Sequence, residues 1–373
     1  MSVPARFAAA VSEHPRTSHA IGEVVGQVAE SLVARPDVAV LFATPQHAAE
    51  LLPALDVVAR VLDAPVTLAA CASGVLGGSR EVEDAPGVSL WAGCTGAARA
   101  VRIEPGRRPP DELAGATGTL VTVADPFSVD PDALLGDLVS VAPGLEVVGG
   151  LASAARQPGQ NVLFAGGDVH RDGAVAVWFG PDVALRAVVS QGGRPVGDPM
   201  IVTAADGPVV RELAGRPALA RLRELVERAD EAERALLARG VLAGIVIDER
   251  KLDFGRGDFV VRELRGADHV RGSLVLGDEG PVGATVQFHV RDAASADDDL
   301  RALVGAAPAH GALVFTCTAR GRHLFAEPDH DASIVHEAVR PGGVAGMFCA
   351  GELGPVGGRN HLHTHTASVA LFG

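Results

Sequence analysis

At 373 residues the chain is long for one compact core, so two domains are expected, each large enough to bury an interior. The balance of 47% hydrophobic to 21% charged residues is globular, and no apolar stretch is long enough to cross a bilayer. The net charge of −14, with arginines scattered among acidic residues, removes the counterion release that drives nucleic-acid binding, so DNA and RNA are discounted as partners.

The N-terminal residues to position 35 read as a lead-in. MSVPARFAAAVSEHPRTSHA has no sustained apolar core behind a basic start, so no secretory signal is expected and a cytoplasmic location is. Cys71, Cys94, Cys317 and Cys349 show no CxxC spacing and read as reduced thiols, which suits that compartment. Lysine occurs once, at Lys251, so a GxxxxGK[ST] phosphate loop is absent and no nucleotide or other cofactor is implied.

In chain order, one module recurs three times: a strand, a helix, a second strand, a Gly-rich loop and a closing strand. The first copy runs VAVLFA (Val38 to Ala43), HAAELLPALDVVARVL, VTLAAC (Val66 to Cys71), a loop, and VSLWAG (Val88 to Gly93). The second runs TLVTVA (Thr119 to Ala124), a short helix after Asp130 and Pro131, LEVVGG (Leu145 to Gly150), a longer loop, and AVAVWFG (Ala174 to Gly180).

A different region follows. RAVVSQGGRPVGDPMIVTAADGPVVREL reads as strands joined by Gly and Pro turns, and Pro217 to Arg239 as a single helix that Gly240 can end. GIVID and FVVREL read as strands, Gly255-Arg256-Gly257 as a turn, and GSLVLG and ATVQFHV as a hairpin around DEGPVG. The third copy closes the chain with ALVFTC (Ala312 to Cys317), a helix around ASIVHEAV, VAGMFC (Val344 to Cys349), a loop, and SVALFG (Ser368 to Gly373).

Short, wholly apolar strands around a crossover helix predict parallel pairs covered on both faces. The fold expected is α/β, with repeated strand-helix-strand units and mixed, mainly short-stranded sheets in two domains, 36–215 and 216–373, divided near Arg216. Ligands of such sheets sit beyond the carboxyl ends of the strands. There each copy has a polar residue after its first strand (Thr44, Asp125, Thr318) and a small-residue turn after its second (Ser73-Gly74, Leu151 to Ser153, Ala350-Gly351).

The segments RPVGDPMIVTAADGPVVRELAGRPAL, RELRGADHVRGSLVLGDEGPVGATVQFHVRDA, GALVFTCTARGRHLF, VAGMFCAGELGP and HLHTHTASVALF together resemble the FIST family, from about Pro36 to Gly373. The resemblance implies FIST N-terminal and C-terminal domains and a sensory role in bacterial-type signal transduction, with small ligands, amino acids among them, as the signal. It implies a stand-alone sensor whose output runs through a separate signalling protein. Where relatives carry an aromatic-rich turn before the Gly-Glu pair, this chain has Met347, Phe348, Cys349 and Ala350, which implies a smaller, less aromatic pocket.

The strongest binding candidate is the pair of turns in the third copy. If its strands are adjacent, Cys317, Arg320 and Gly321 meet Cys349, Gly351 and Glu352. Arg320 could take a carboxylate in a two-pronged grip, Glu352 an ammonium, and Gly351 allows close backbone approach. The bland alternative is that Arg320 and Glu352 pair with each other. His363 is a further ligand contact, and His361, His363 and His365, alternating on one strand, form a metal alternative, weighed against plain hydrogen-bonded histidines. An enzyme alternative uses Cys317 or Cys349 as a thiol activated by His363. No catalytic residue is assigned. In the first copy Cys71, Ser73, Gly74, Arg80 and Glu83 echo the third in type but not in spacing, and read as relics.

Overall fold

The computed structural model describes residues 6–255, 257–277, 279–339 and 342–373; Arg256, the centre of the expected Gly255-Arg256-Gly257 turn, lies outside them. The chain forms two compact units, one running to Ser190 and resuming at Leu300, the other Gln191–Asp299. The second unit is therefore set between the leading strand of the third copy and its remaining strands.

The first copy comprises β1 (Phe7–Ser12), α1 (Thr17–Ser31), β2 (Val38–Ala43), α2 (Leu51–Leu62), β3 (Val66–Cys71), β4 (Gly74–Gly77), β5 (Arg80–Glu83) and β6 (Val88–Gly93). The segment read as a lead-in thus supplies β1 and α1. The second copy comprises β7 (Ala98–Ile103), β8 (Thr117–Ala124), α3 (Pro131–Val141), β9 (Gly144–Leu151), β10 (Leu163–Ala165), β11 (Asp168–His170) and β12 (Ala174–Phe179). The third copy opens with β13 (Leu185–Ser190).

The second unit then holds β14 (Gly193–Asp206), β15 (Val209–Leu213), β16 (Arg216–Pro217), α4 (Ala218–Arg228), α5 (Glu231–Ala238), β17 (Val241–Val246), β18 (Phe259–Asp268), β19 (Ser273–Leu276) and β20 (Thr285–Arg291). After α6 (Ala293–Val304) the third copy resumes with β21 (Gly311–Cys317), α7 (His330–Ala338), β22 (Gly343–Cys349), β23 (Glu352–Val356), β24 (Arg359–His363) and β25 (Ala367–Phe372).

Each copy is built alike. A parallel pair (β2 with β3, β8 with β9, β21 with β22) spans a crossover helix, as parallel neighbours require. The closing strand runs antiparallel to the first of the pair, and the leading strand runs antiparallel to the closing one. The regions read as Gly-rich loops are hairpins, and each is donated to the sheet of another copy. The first copy's β4–β5 extends the third copy's sheet at β22, the second copy's β10–β11 extends the first at β3, and the third copy's β23–β24 extends the second at β9. Three six-stranded sheets, cyclically tied, result among the described residues.

Alternation along the strands explains why they are mostly apolar on both faces. Val38, Val40 and Phe42 of β2 point into a core shared with Val121 and Val123 of β8 and Leu313 and Phe315 of β21. Ala39, Leu41 and Ala43 instead meet α1 and α2 (Val24, Val28, Leu55, Val58), Leu120 and Ala124 meet α3, and Ala312 and Val314 meet α7. Both faces of these sheets are covered, so a polar position on these strands is costly unless it finds a partner. Rings bridge the sheets at the centre: Phe42 lies edge-on to Phe315 at 5.9 Å and Phe179 to Phe372 at 5.2 Å.

In the second unit, antiparallel pairing runs β14-β20-β17-β18-β19-β15 and returns to β14, closing a six-stranded ring with β16 appended. Closure leaves those six strands no free edge. Two expectations are corrected here. The single helix expected from Pro217 to Arg239 is two, because Ala229 is extended and Asp230 caps α5 by accepting the Glu233 N–H at 2.8 Å. The hairpin expected between GSLVLG and ATVQFHV does not form: β19 pairs with β18 and β15, and β20 with β14 and β17.

Candidate functional site

The carboxyl ends of the paired strands come together in the first unit. Ala72 donates to Ala43 O at 2.9 Å and Ala152 to Ala124 O at 2.8 Å, from the end of the second strand to the first, whereas in the third copy the bond is reversed and Thr318, after the first strand, donates to Cys349 O at 3.0 Å. Across copies, Leu151 N–H donates to Gly351 O at 2.8 Å and Ala350 N–H to Leu151 O at 3.0 Å. The turns that follow enclose a cleft of about 320 Å³. Its walls are Ser73, Gly74, Glu83 and Asp84 of the first copy, Ser153 of the second, and Thr318, His323, Phe348 and Ala350 of the third. Small-molecule pockets occupy about 300–1,000 Å³, so this one fits a small ligand.

Hydrogen bonds fix the polarity of its wall. The Ser153 hydroxyl donates to Phe348 O at 2.5 Å, and its oxygen receives Ser73 N–H at 2.9 Å and lies 3.1 Å from the Ser73 hydroxyl. With its proton committed to a carbonyl, Ser153 can only accept from Ser73, which leaves the Ser73 oxygen as an acceptor. Glu83 arrives on the donated hairpin and accepts Arg322 N–H at 3.1 Å. Burial pushes its carboxyl up, against the opposing pull of that N–H and the Arg322 charge. The carboxylate lies flat on Gly321, whose φ is +50° and where a Cβ would stand 2.6 Å from a Glu83 oxygen.

Beneath the cleft lies a buried polar layer. Arg320, 0% exposed, donates from Nε and Nη2 to the two oxygens of Asp331, each at 2.8 Å. Asp331 also accepts from Thr316 Oγ1 at 2.6 Å and from His330 Nδ1 at 2.9 Å. Burial would raise the Asp331 carboxyl, but the Arg320 charge and these bonds outweigh it and hold the group well below the usual carboxylate range. Arg320 also lies over the Phe325 ring, 5.2 Å from its centre. The Glu352 carboxylate accepts from Thr366 N–H at 3.2 Å and Thr366 Oγ1 at 2.8 Å, and burial pushes it up to about 8 despite those bonds. Burial likewise raises Glu81, which accepts Ala332 N–H at 2.9 Å, to about 8. Among the described residues, Arg320 Nη1, Glu352 Oε1 and Glu81 Oε2 are buried with no hydrogen-bond partner.

Set against the sequence expectations, the two third-copy turns do meet: Cys317 faces Cys349 in register, and Glu352 follows. Asp331 takes the Nε and Nη2 donors of Arg320, so the pairing weighed between Arg320 and Glu352 is made with Asp331 instead. Burial pushes the Cys317 thiol up to about 12 and the Cys349 thiol well above its usual value, the opposite of an activated nucleophile. His363 is buried, with Nε2 3.1 Å from Gly354 O; His361 is 5.9 Å from it ring to ring, and His365 lies past the end of β24 at φ +61°. Among the described residues no three His, Cys, Asp or Glu side chains gather as a metal-holding group. Ser73, Gly74 and Glu83, read as relics, line the cleft, whereas Arg80 pairs with Glu13 and Asp329 outside it. Sequence reasoning missed Asp84, His323 and Asp331, which no local motif singles out.

The fold and this site define a three-copy α/β protein with a small polar cleft at its strand ends and a closed antiparallel barrel inserted in the third copy. Residues 37–216 match the FIST N domain and 218–355 the FIST C domain, and the chain belongs to the FIST family. Domains of this family are associated with sensory signal transduction. The chain is 40% identical to the uncharacterized protein Mb0898c of Mycobacterium bovis, over 98% of each chain. It is 39% identical to the uncharacterized protein Rv0628c of Mycobacterium tuberculosis, over 98% of this chain and 99% of that one. No helix among the described residues is long and apolar enough to cross a membrane.

Proposed function

We propose that this protein is a small-ligand-binding sensor of bacterial-type signal transduction, working in the cytoplasm, and that its ligand occupies the cleft at the strand ends. The observation that carries this reading is the convergence of turn residues from all three copies on one polar cavity. A fold that repeats itself three times and donates a hairpin from each copy to the sheet of another couples that cavity to every sheet of the unit. Cys317, Arg320, Gly321, Cys349, Gly351, Glu352 and His363 then serve as the frame beneath and beside the ligand, and a separate signalling protein reads the occupied state. A small polar metabolite fits the cleft, and amino acids remain in the ligand class, although the expected carboxylate grip of Arg320 is engaged with Asp331. The buried, proton-holding thiols weigh against the cysteine-enzyme alternative.

The test is a thermal-shift screen of the protein against amino acids, amines, polyols and small carboxylates, run in parallel on Ala350→Phe. Ala350 is an exposed wall residue, so the larger ring fills the cleft without entering the core. A ligand at a hundred times its dissociation constant stabilises by about 2.7 kcal/mol. A selective shift that disappears in the blocked variant supports the reading; a shift that survives blocking places the ligand elsewhere.

A further inference from the structure

From the polarity of the cleft wall we infer that its ligand is a small organic cation, an amine that donates hydrogen bonds, rather than an anion or a neutral polyol. This rests on the ligand-binding reading above and specifies it. The wall offers acceptors. Glu83 lines the cavity and has one oxygen on Arg322 N–H, which leaves its second oxygen as an acceptor. Asp84 is the next residue, exposed and held in the left-handed region at φ +57°, so the chain turns there and both residues line the same cleft. Opposite them the Ser73 oxygen is left as an acceptor, because Ser153 spends its only proton on Phe348 O.

Donors are scarce by comparison. Thr318 N–H is bonded to Cys349 O, Ala350 N–H to Leu151 O and Ser73 N–H to Ser153 Oγ, so these wall amides are not free for an anion. Among the lining side chains only His323 can carry positive charge, against the two carboxylates. Arg322 stands outside the lining, its Nε 3.8 Å from the Glu83 oxygen that its own backbone N–H already holds. Arg320, the buried cation nearest in sequence, is neutralised by Asp331. A carboxylate or phosphate entering the cleft would meet two like charges and, for donors, the Thr318 hydroxyl and the His323 ring alone among these side chains and amides, whereas an ammonium brings three donors to the acceptors of Glu83, Asp84 and Ser73.

Isothermal titration with three probes of one length tests this: 1,4-diaminobutane, 1,4-butanediol and succinate, against the full chain, Glu83→Gln, Asp84→Asn and Ala350→Phe. The expected result is binding of the diamine alone, weakened at least tenfold in Glu83→Gln and Asp84→Asn and lost in Ala350→Phe. Glu83→Gln keeps an acceptor for Arg322 N–H, so loss of binding there reports the charge and not the hairpin. Binding of butanediol or succinate as tight as that of the diamine overturns the cation assignment while leaving the ligand-binding reading intact. Unchanged diamine affinity in both carboxylate variants overturns it too. Binding by none of the three overturns the cation assignment, and the wider screen then decides the ligand-binding reading on its own.

Discussion

Arg320 and Asp331 are joined by two hydrogen bonds of 2.8 Å, with their side chains 0% and 1% exposed. The pair ties the turn after β21 to the first turn of α7. Buried ion pairs of this kind set geometry more than they add stability, since desolvation cancels much of the attraction.

Breaking the pair on one side leaves an uncompensated buried charge. Arg320→Ala is expected to destabilise the first unit by about 3–5 kcal/mol. The paired change Arg320→Met with Asp331→Leu, which removes both charges at similar volume, is expected to cost markedly less. Both tryptophans, Trp91 and Trp178, lie in this unit, so urea unfolding followed by tryptophan fluorescence reads it without interference from the barrel. A double variant as unstable as Arg320→Ala would show that packing around Phe325, not the charge, sets the cost.

Stability of the same unit is expected to fall as pH rises from about 5 to 9. Glu81 and Glu352 are each raised by burial to about 8 from an ordinary value of 4.5. Between those values the folded state holds protons that the unfolded chain releases, so raising the pH favours unfolding. Their contribution is fully present below about 4.5 and is lost as pH passes through about 8. Asp331 acts in the opposite sense, but its lowered value places that effect in strong acid, outside this window. Urea midpoints at pH 5.5 and 8.5 measure the slope, and Glu352→Gln and Glu81→Gln should each flatten it. A slope unaltered in both variants would assign the pH dependence to other groups.

The strands of the three copies are legible in the sequence for a physical reason. VAVLFA, TLVTVA and ALVFTC are wedged between the common core and their own helices, and that double burial writes a run of apolar residues interrupted only by threonines. The donated hairpins are not legible, because β4, β10 and β23 are short and pair with strands far away in the chain, such as Gly77 of β4 with Ala345 of β22. Glu83 looked like a relic for this reason: its place at the third copy's strand ends comes from pairing that no local pattern encodes. The break between α4 and α5, by contrast, was written locally, as Asp230 followed three residues later by Glu233 is a helix-start signature.

Gly321 links the frame to the cleft, and Gly321→Ala should be felt at both. Its φ of +50° is costly for any residue with a Cβ, and that Cβ would meet the Glu83 carboxylate at 2.6–2.7 Å. A loss of about 1–3 kcal/mol is expected for the strain alone. If Glu83 must swing away to make room, any amine affinity of the cleft falls as well. A stability loss with ligand affinity unchanged would separate the turn from the binding wall.

The four thiols give a direct test of whether any cysteine is chemically active. Cys71, Cys317 and Cys349 are buried, and burial pushes the first two up to about 12 and the third well above its usual value. Cys94 is only partly buried, near the protein surface at the end of β6, and its thiol is raised by burial and by Asp37. Alkylation requires both thiolate and access. In native protein at neutral pH, iodoacetamide followed by peptide mass analysis should therefore label Cys94 first, with the other three reacting only on unfolding. Rapid labelling of Cys317 or Cys349 would mean that the strand ends open far enough to admit solvent and generate thiolate, and would revive the cysteine-dependent chemistry that the folded geometry argues against.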